Sequence, residues 1–201
     1  MARIRMFVAL ITVAALAVPS AAAAAVSKVT GGTTQVTISS TVASALTANH
    51  LTLTPLAPAT ASGSTFTFPI ARGHLNKNLR GVIYHRGGFA ISNGTRTIRL
   101  RRLTLVSDRG GVFLRSLVAG PATRTCHVHG MHHQRLRCVT RARLVTKRIA
   151  TLTDVTVSGT TATANVTLTA AAAKEINLLA GKSIASAGTV LGTATVTPQL
   201  S

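Results

Sequence analysis

Apolar residues recur at every second position along most of the chain beyond residue 26, and no other feature constrains the fold as tightly. Val36 and Ile38 alternate with Gln35, Thr37 and Ser39; Leu51 and Leu53 alternate with Thr52 and Thr54. Phe66, Phe68 and Ile70 alternate with Thr65 and Thr67, and Ala162, Ala164, Val166 and Leu168 alternate with Thr161, Thr163, Asn165 and Thr167. Successive side chains of a strand point to opposite faces, so this is the pattern of sheet buried on one side. Threonine-rich second faces suit solvated sheet, and one-sided burial is the habit of antiparallel sheets. The expectation is a mainly β protein, an antiparallel sandwich or curled sheet, with two short α-helices. Pro69 cannot donate to a ladder, which places its strand at an edge or a bulge.

The helices are expected where the period changes. Ser40–Ala48 puts Val42, Ala45 and Leu46 at helical spacing, with Ser39 or Ser40 as N-cap. Thr169–Ala180 is alanine-rich, carries Ile176, Leu179 and Ala180 on one side, and meets a natural stop at Gly181. Each is flanked by similar strands: Val36-Thr37-Ile38-Ser39 and Leu51-Thr52-Leu53-Thr54-Pro55 around the first, Val166-Thr167-Leu168-Thr169 and Ala194-Thr195-Val196-Thr197-Pro198 around the second. Two copies are too few for a solenoid; the repeat suggests a pseudo-symmetric domain whose first and last parts pack alike.

The N-terminus departs from all this. Arg3 and Arg5 precede an apolar run from Phe7 to Val18, then Pro19 and the tract Ala21–Ala25. A positive start, a run too short to span a bilayer as a helix and an A-x-A pattern describe a secretory signal peptide cleaved after Ala23 or Ala25. Residues 26–201 then form one β-rich domain, exported and released or held at the cell envelope. No later stretch is apolar enough to be a transmembrane helix.

Charge separates the middle of the chain from its ends. Of 22 lysines and arginines, 17 lie between Arg72 and Arg148, against the single acid Asp108. Arg135, Arg137, Arg141 and Arg143 alternate with Leu136, Cys138, Ala142 and Leu144; Arg99 and Arg101 alternate with Ile98 and Leu100. After Arg101 the phase slips, because Leu103 and Leu105 fall on the arginine face, so a bulge is expected near Arg101-Arg102. Guanidinium forks match carboxylate and phosphate. These six arginines are therefore candidate anion-binding residues, for an anionic envelope polymer, an anionic lipid surface or an acidic ligand. Nucleic acid is disfavoured by export and by an aromatic content of only 3%, which leaves few rings to stack on bases.

Cys126 and Cys138 are the two cysteines, and in an exported chain such a pair reads as a disulfide. The loop it closes would contribute roughly 3 kcal/mol in the chain-entropy model. Inside it lie His127, His129, His132 and His133, candidate ligands for a transition metal or an exposed haem iron, although the neighbouring arginines disfavour a cation. With Asp+Glu 3 a paired-carboxylate hydrolase lacks material. No G-x-S-x-G, H-E-x-x-H or phosphate-binding glycine loop occurs, so no enzyme activity is expected.

One stretch resembles a known family. Phe66-Thr67-Phe68-Pro69-Ile70, Gly73, Leu75, then Gly81-Val82-Ile83-Tyr84-His85-Arg86-Gly87-Gly88-Phe89, then Ile98-Arg99-Leu100 looks like the middle of an HtaA-type domain, and Leu191-Gly192-Thr193-Ala194-Thr195-Val196 is similar to the end of secreted actinobacterial relatives. The resemblance implies a secreted or surface β-rich domain and, in some members, haem capture. Haem-binding members open with a Trp segment and a helix whose Tyr ligates iron, whereas this chain has no Trp and no Tyr before Tyr84. Their supporting His lies in a G-H motif where this chain has Ser92-Asn93-Gly94. No haem ligand carries over, and Tyr84 and His85 point to opposite faces of a strand. The basic hairpin near 124–148 is an insertion on this pattern. The chain is thus expected to be a non-catalytic cell-envelope binding protein using its arginines, the alternative being a haem- or metal-binding protein.

Overall fold

The structure, a computed structural model, describes residues 26–129 and 135–201, and of 120–129 and 135–143 it gives the backbone course alone. The N-terminal segment expected to be a signal peptide lies outside the described residues, as do His132 and His133. Eleven strands and two helices follow one another as β1 (Val26–Ile38), α1 (Ser40–Ala48), β2 (Thr52–Leu56), β3 (Thr60–Ser62), β4 (Thr65–Asn76), β5 (Gly81–His85), β6 (Gly88–Ser92), β7 (Thr97–Asp108), β8 (Gly111–His129), β9 (Arg135–Ser158), β10 (Thr161–Leu168), α2 (Ala170–Ala180) and β11 (Val190–Leu200).

All pairings are antiparallel, and the order β7-β5-β4-β1-β11-β10-β9-β8 returns to β7 through a β7–β8 ladder. The curled sheet therefore closes into an eight-stranded barrel. β6 and β2 continue from the first half of β7, and β3 adds to β4. An eight-stranded barrel has an interior just wide enough to be filled by side chains or to hold one small ligand; here side chains fill one half and a cavity remains in the other. Val29, Ile70, Leu75, Ile83 and Val196 pack one half. The other half holds Phe66, Phe68, Leu100, Leu103, Val118 and Ile149, covered by Leu46 of α1 and by Leu179, Ala172 and Ile176 of α2.

The helices form where the periodicity changes. Ser39 caps α1, its hydroxyl accepting from the Val42 amide at 3.3 Å. Thr169 caps α2, accepting from the Ala172 amide at 3.3 Å and donating to the Arg148 carbonyl at 2.9 Å, and Gly181 ends the helix at φ 71°. The two strand–helix–strand segments do not pack alike: β10 and β11 are neighbours, whereas β1 and β2 are separated, β2 pairing with β6. Similar threonine-and-valine composition hid different pairing. Pro69 is not on an edge strand, since β4 lies between β1 and β5; it falls between the part of β4 paired with β3 and the part paired with β5, next to the register shift at Ile70/Arg72.

The bulge in β7 is where the alternation slips. Arg102 adopts φ 51°, and the register against β8 shifts between Arg101 and Thr104. The shift returns Leu103 to the interior, 2% exposed, beside Leu100. It also lets one strand serve three, with β6 against Thr97–Arg101, β5 against Thr104–Ser107 and β8 along the other side. Beyond Val118 and Leu144, β8 and β9 pair only with each other among the described residues, as a two-stranded ribbon running to His129 and Arg135.

Candidate functional site

A cavity of about 310 Å³ occupies the barrel half under the helices. Its wall is almost wholly apolar, drawn from most barrel strands and from Val42, Ala45 and Leu46 of α1 and Ala172 and Ile176 of α2. Asn177 holds the following loop over the opening: its side-chain oxygen accepts from the Ile184 and Ala185 amides at 2.8 and 2.9 Å, and its amide donates to the Ala185 carbonyl at 2.8 Å. Asn93 donates to the Leu179 carbonyl at 2.8 Å, tying the end of α2 to the β6–β7 turn.

Among the polar residues of the cavity lining, His85 with Thr34 and the Lys147–Glu175 pair make hydrogen bonds between side chains. At the inner end of the cavity His85 is 6% exposed. Its Nδ1 lies 3.2 Å from the Leu103 carbonyl and its Nε2 lies 2.7 Å from the Thr34 hydroxyl. A carbonyl only accepts, so Nδ1 carries the proton and Nε2 accepts from Thr34. Burial pushes the His85 pKa down to about 4, outweighing the Leu103 hydrogen bond, which raises it; the ring is neutral at pH 7. Along the wall, Lys147 and Glu175 form an ion pair at 2.6 Å with both side chains 36% exposed. That exposure makes the pair a minor contributor to stability.

His85 also serves the fold. The bulge leaves Leu103 outside the register with β8, which resumes at Thr104, and Arg101 is the last residue before the shift. Buried Ser116 donates to the Arg101 carbonyl at 3.0 Å and His85 to the Leu103 carbonyl. Buried backbone acceptors need such partners. Period alone could have located this histidine: His85 shares the inward phase of β5 with buried Ile83, while Tyr84 points outward.

The sequence candidates are distributed differently. Arg99 and Arg101 are exposed on β7, away from the cavity. For Arg135, Arg137, Arg141 and Arg143 the described backbone places them on β9 within the ribbon, and their side chains lie outside the described residues. The same holds for His127 and His129 on β8, so the proposed histidine cluster is not among what the structure describes. Among the described residues no group of three or more His, Cys, Asp or Glu is placed to hold a metal, and no helix is long and apolar enough to cross a membrane. Cys126 and Cys138 stand directly opposite one another in the β8–β9 register.

Fold and cavity together define a class: small closed antiparallel barrels with an apolar chamber capped at one end by helices. No protein-family model matches the chain, and no curated protein matches it in sequence. Among solved structures, the C-terminal domain of HtaA from Corynebacterium glutamicum is similar over 87% of this chain and 99% of that domain, with TM-score 0.58 and 14% identity. The haem-binding protein HtaB from the same organism aligns over 88% of this chain and 96% of its own, with TM-score 0.46 and 13% identity. The first likeness establishes that the fold is HtaA-like.

Proposed function

We propose that the chain is an exported, non-catalytic binding protein that takes a large apolar ligand with anionic end groups, of the class of haem, into the chamber beneath α1 and α2. The observation that carries this reading is the chamber itself: about 310 Å³ of apolar space, at the lower end of the range for small-molecule sites. The HtaA-like fold supports it. The residues fit haem in three respects. The walls are apolar, Lys147 beside the chamber offers a cation to carboxylates, and His85 is a neutral imidazole whose Nδ1–H is already held by a backbone carbonyl. A hydrogen bond of this kind from Nδ1–H is how protein histidines are oriented for a metal through Nε2. Rotation of the Thr34 hydroxyl would release the Nε2 lone pair. The bound group would supply iron for ligation and a large apolar surface for burial.

The test is an absorbance titration of the purified protein with haem, run beside iron-free protoporphyrin followed by fluorescence. Saturable one-to-one binding of both is expected, with only the haem spectrum altered by His85→Gln. A cavity-filling Ala172→Trp variant should abolish both while the far-ultraviolet circular dichroism is retained. Absence of saturable binding of either ligand to the folded wild-type protein refutes the proposal.

A further inference from the structure

The outer face of the barrel carries a feature that strand registers create and that no stretch of sequence contains. Arg72 on β4 pairs with Tyr84 on β5, Tyr84 with Thr104 on β7, Thr104 with Arg115 on β8, and Arg115 with Arg148 on β9. Residues directly opposite in a ladder share a face, so these five form one transverse row crossing five strands. At the usual interstrand spacing the row is about 19 Å long. Arg101, next to it on β7 across the bulge, extends the patch along the strand.

Every member of the row can donate a hydrogen bond. Arg72, Arg101, Arg115 and Arg148 are exposed, and among the described residues none donates a side-chain hydrogen bond to protein or pairs with a carboxylate. Three are nonetheless held in place by aromatic rings. The Arg72 guanidinium lies 5.3 Å from the Tyr84 ring centroid, and those of Arg115 and Arg148 lie 4.9 and 3.8 Å from Phe113. Phe113 is 2% exposed on an outward-facing position, covered by the two arginines. Stacking occupies the flat face of a guanidinium and leaves its N–H edge free. Thr104 spends its hydroxyl hydrogen on the Arg102 carbonyl, so the free, oriented donors of the row are its arginines.

We propose that this row is the docking surface for a linear phosphate polyanion lying across β4, β5, β7, β8 and β9. Arginine, with no lysine in the row, matches the two free oxygens of a phosphodiester with its fork. A closed eight-stranded barrel is convex outside, so a rigid flat surface touches it along a line, whereas a flexible polymer follows the curve. The paucity of aromatic residues to stack bases favours a polymer without them.

The experiment measures binding of the full mature chain to long-chain inorganic polyphosphate across a salt series. The row variant Arg72→Gln/Arg101→Gln/Arg115→Gln/Arg148→Gln is compared with a control of nearly matched charge, Arg80→Gln/Arg96→Gln/Arg109→Gln. A smaller variant, Arg72→Gln/Arg101→Gln, leaves the cover of Phe113 intact. Polyglutamate and phosphatidylglycerol vesicles run alongside. The row variant should lose at least tenfold in affinity and flatten the log–log salt slope by about 3 through lost counterion release; the smaller variant should show about half that change in slope and the control little change. Equal losses in row variant and control would reduce the effect to diffuse charge and overturn the proposal. Tighter binding of polyglutamate or vesicles than of polyphosphate would overturn it too, as would wild-type behaviour of the smaller variant.

Discussion

Acidification from pH 6.5 to 4 should destabilise this barrel through one side chain. His85 titrates near pH 4 in the folded protein against about 6.5 in an unfolded chain, because burial disfavours its charged form. Between those values the unfolded state binds the extra proton, so unfolding takes up a proton and stability falls as the pH falls. The contribution is fully present above pH 6.5, is lost progressively on the way down, and changes no further below pH 4. A displacement from 6.5 to about 4, at about 1.36 kcal/mol per pH unit, gives a loss of about 3 kcal/mol. The Thr34 hydroxyl can turn to accept from a protonated ring, so the cost is desolvation and not a broken hydrogen bond. Few other groups compete, since the chain has only three carboxylates. Urea unfolding at half-unit pH steps, on wild-type protein and His85→Gln, isolates the effect, because every other titrating group is common to both. The wild type should lose about 3 kcal/mol more than the variant over this window. Parallel curves would refute the reasoning.

Gly192 pairs with both Ile38 and Val166, and an added Cβ would run into the Thr37 carbonyl; Gly192→Ala should cost at least about 2 kcal/mol by urea unfolding. Thr169→Ala removes the α2 cap and should cost about 1 kcal/mol by the same assay. Lys147→Ala should change stability by less than about 1 kcal/mol, since the Glu175 pair is partly exposed, yet weaken haem binding measurably if Lys147 meets its carboxylates. Cys126 and Cys138, opposite in register, should resist alkylation until reduced, and mass spectrometry of the non-reduced protein should show two hydrogens fewer than the reduced one.

What could be read from the sequence was whatever depends on near neighbours. Ser39 or Ser40 and Gly181 announce helix ends because capping involves residues within a turn, whereas Thr169, read as the first helical residue, is the cap itself. The slipped phase around Arg101-Arg102 located the bulge because alternation is a local count. Closure was invisible, because the ladder joining Leu100 to Val118 depends on how far eight strands curl together. The chamber was invisible for the same reason: Thr34, His85 and Leu103 meet only when three separate strands are placed in one barrel. The arginine rows read along single strands missed the one that matters here, which runs across strands and interleaves Arg72, Arg115 and Arg148 with Tyr84 and Thr104.

The ribbon of β8 and β9 has a mechanical consequence. From Ala119 to His129 it reaches roughly 33 Å past the barrel at the rise of a strand. Both of its strands continue into the wall, where β8 is laddered to β7 and β9 to β10. A pull on the ribbon tip along its length therefore loads those ladders in shear. Their hydrogen bonds share the force and must yield together, instead of opening one after another as they would if peeled. Whatever grips the tip grips the barrel itself, and tension applied there reaches the wall of the chamber before it can unravel the arm.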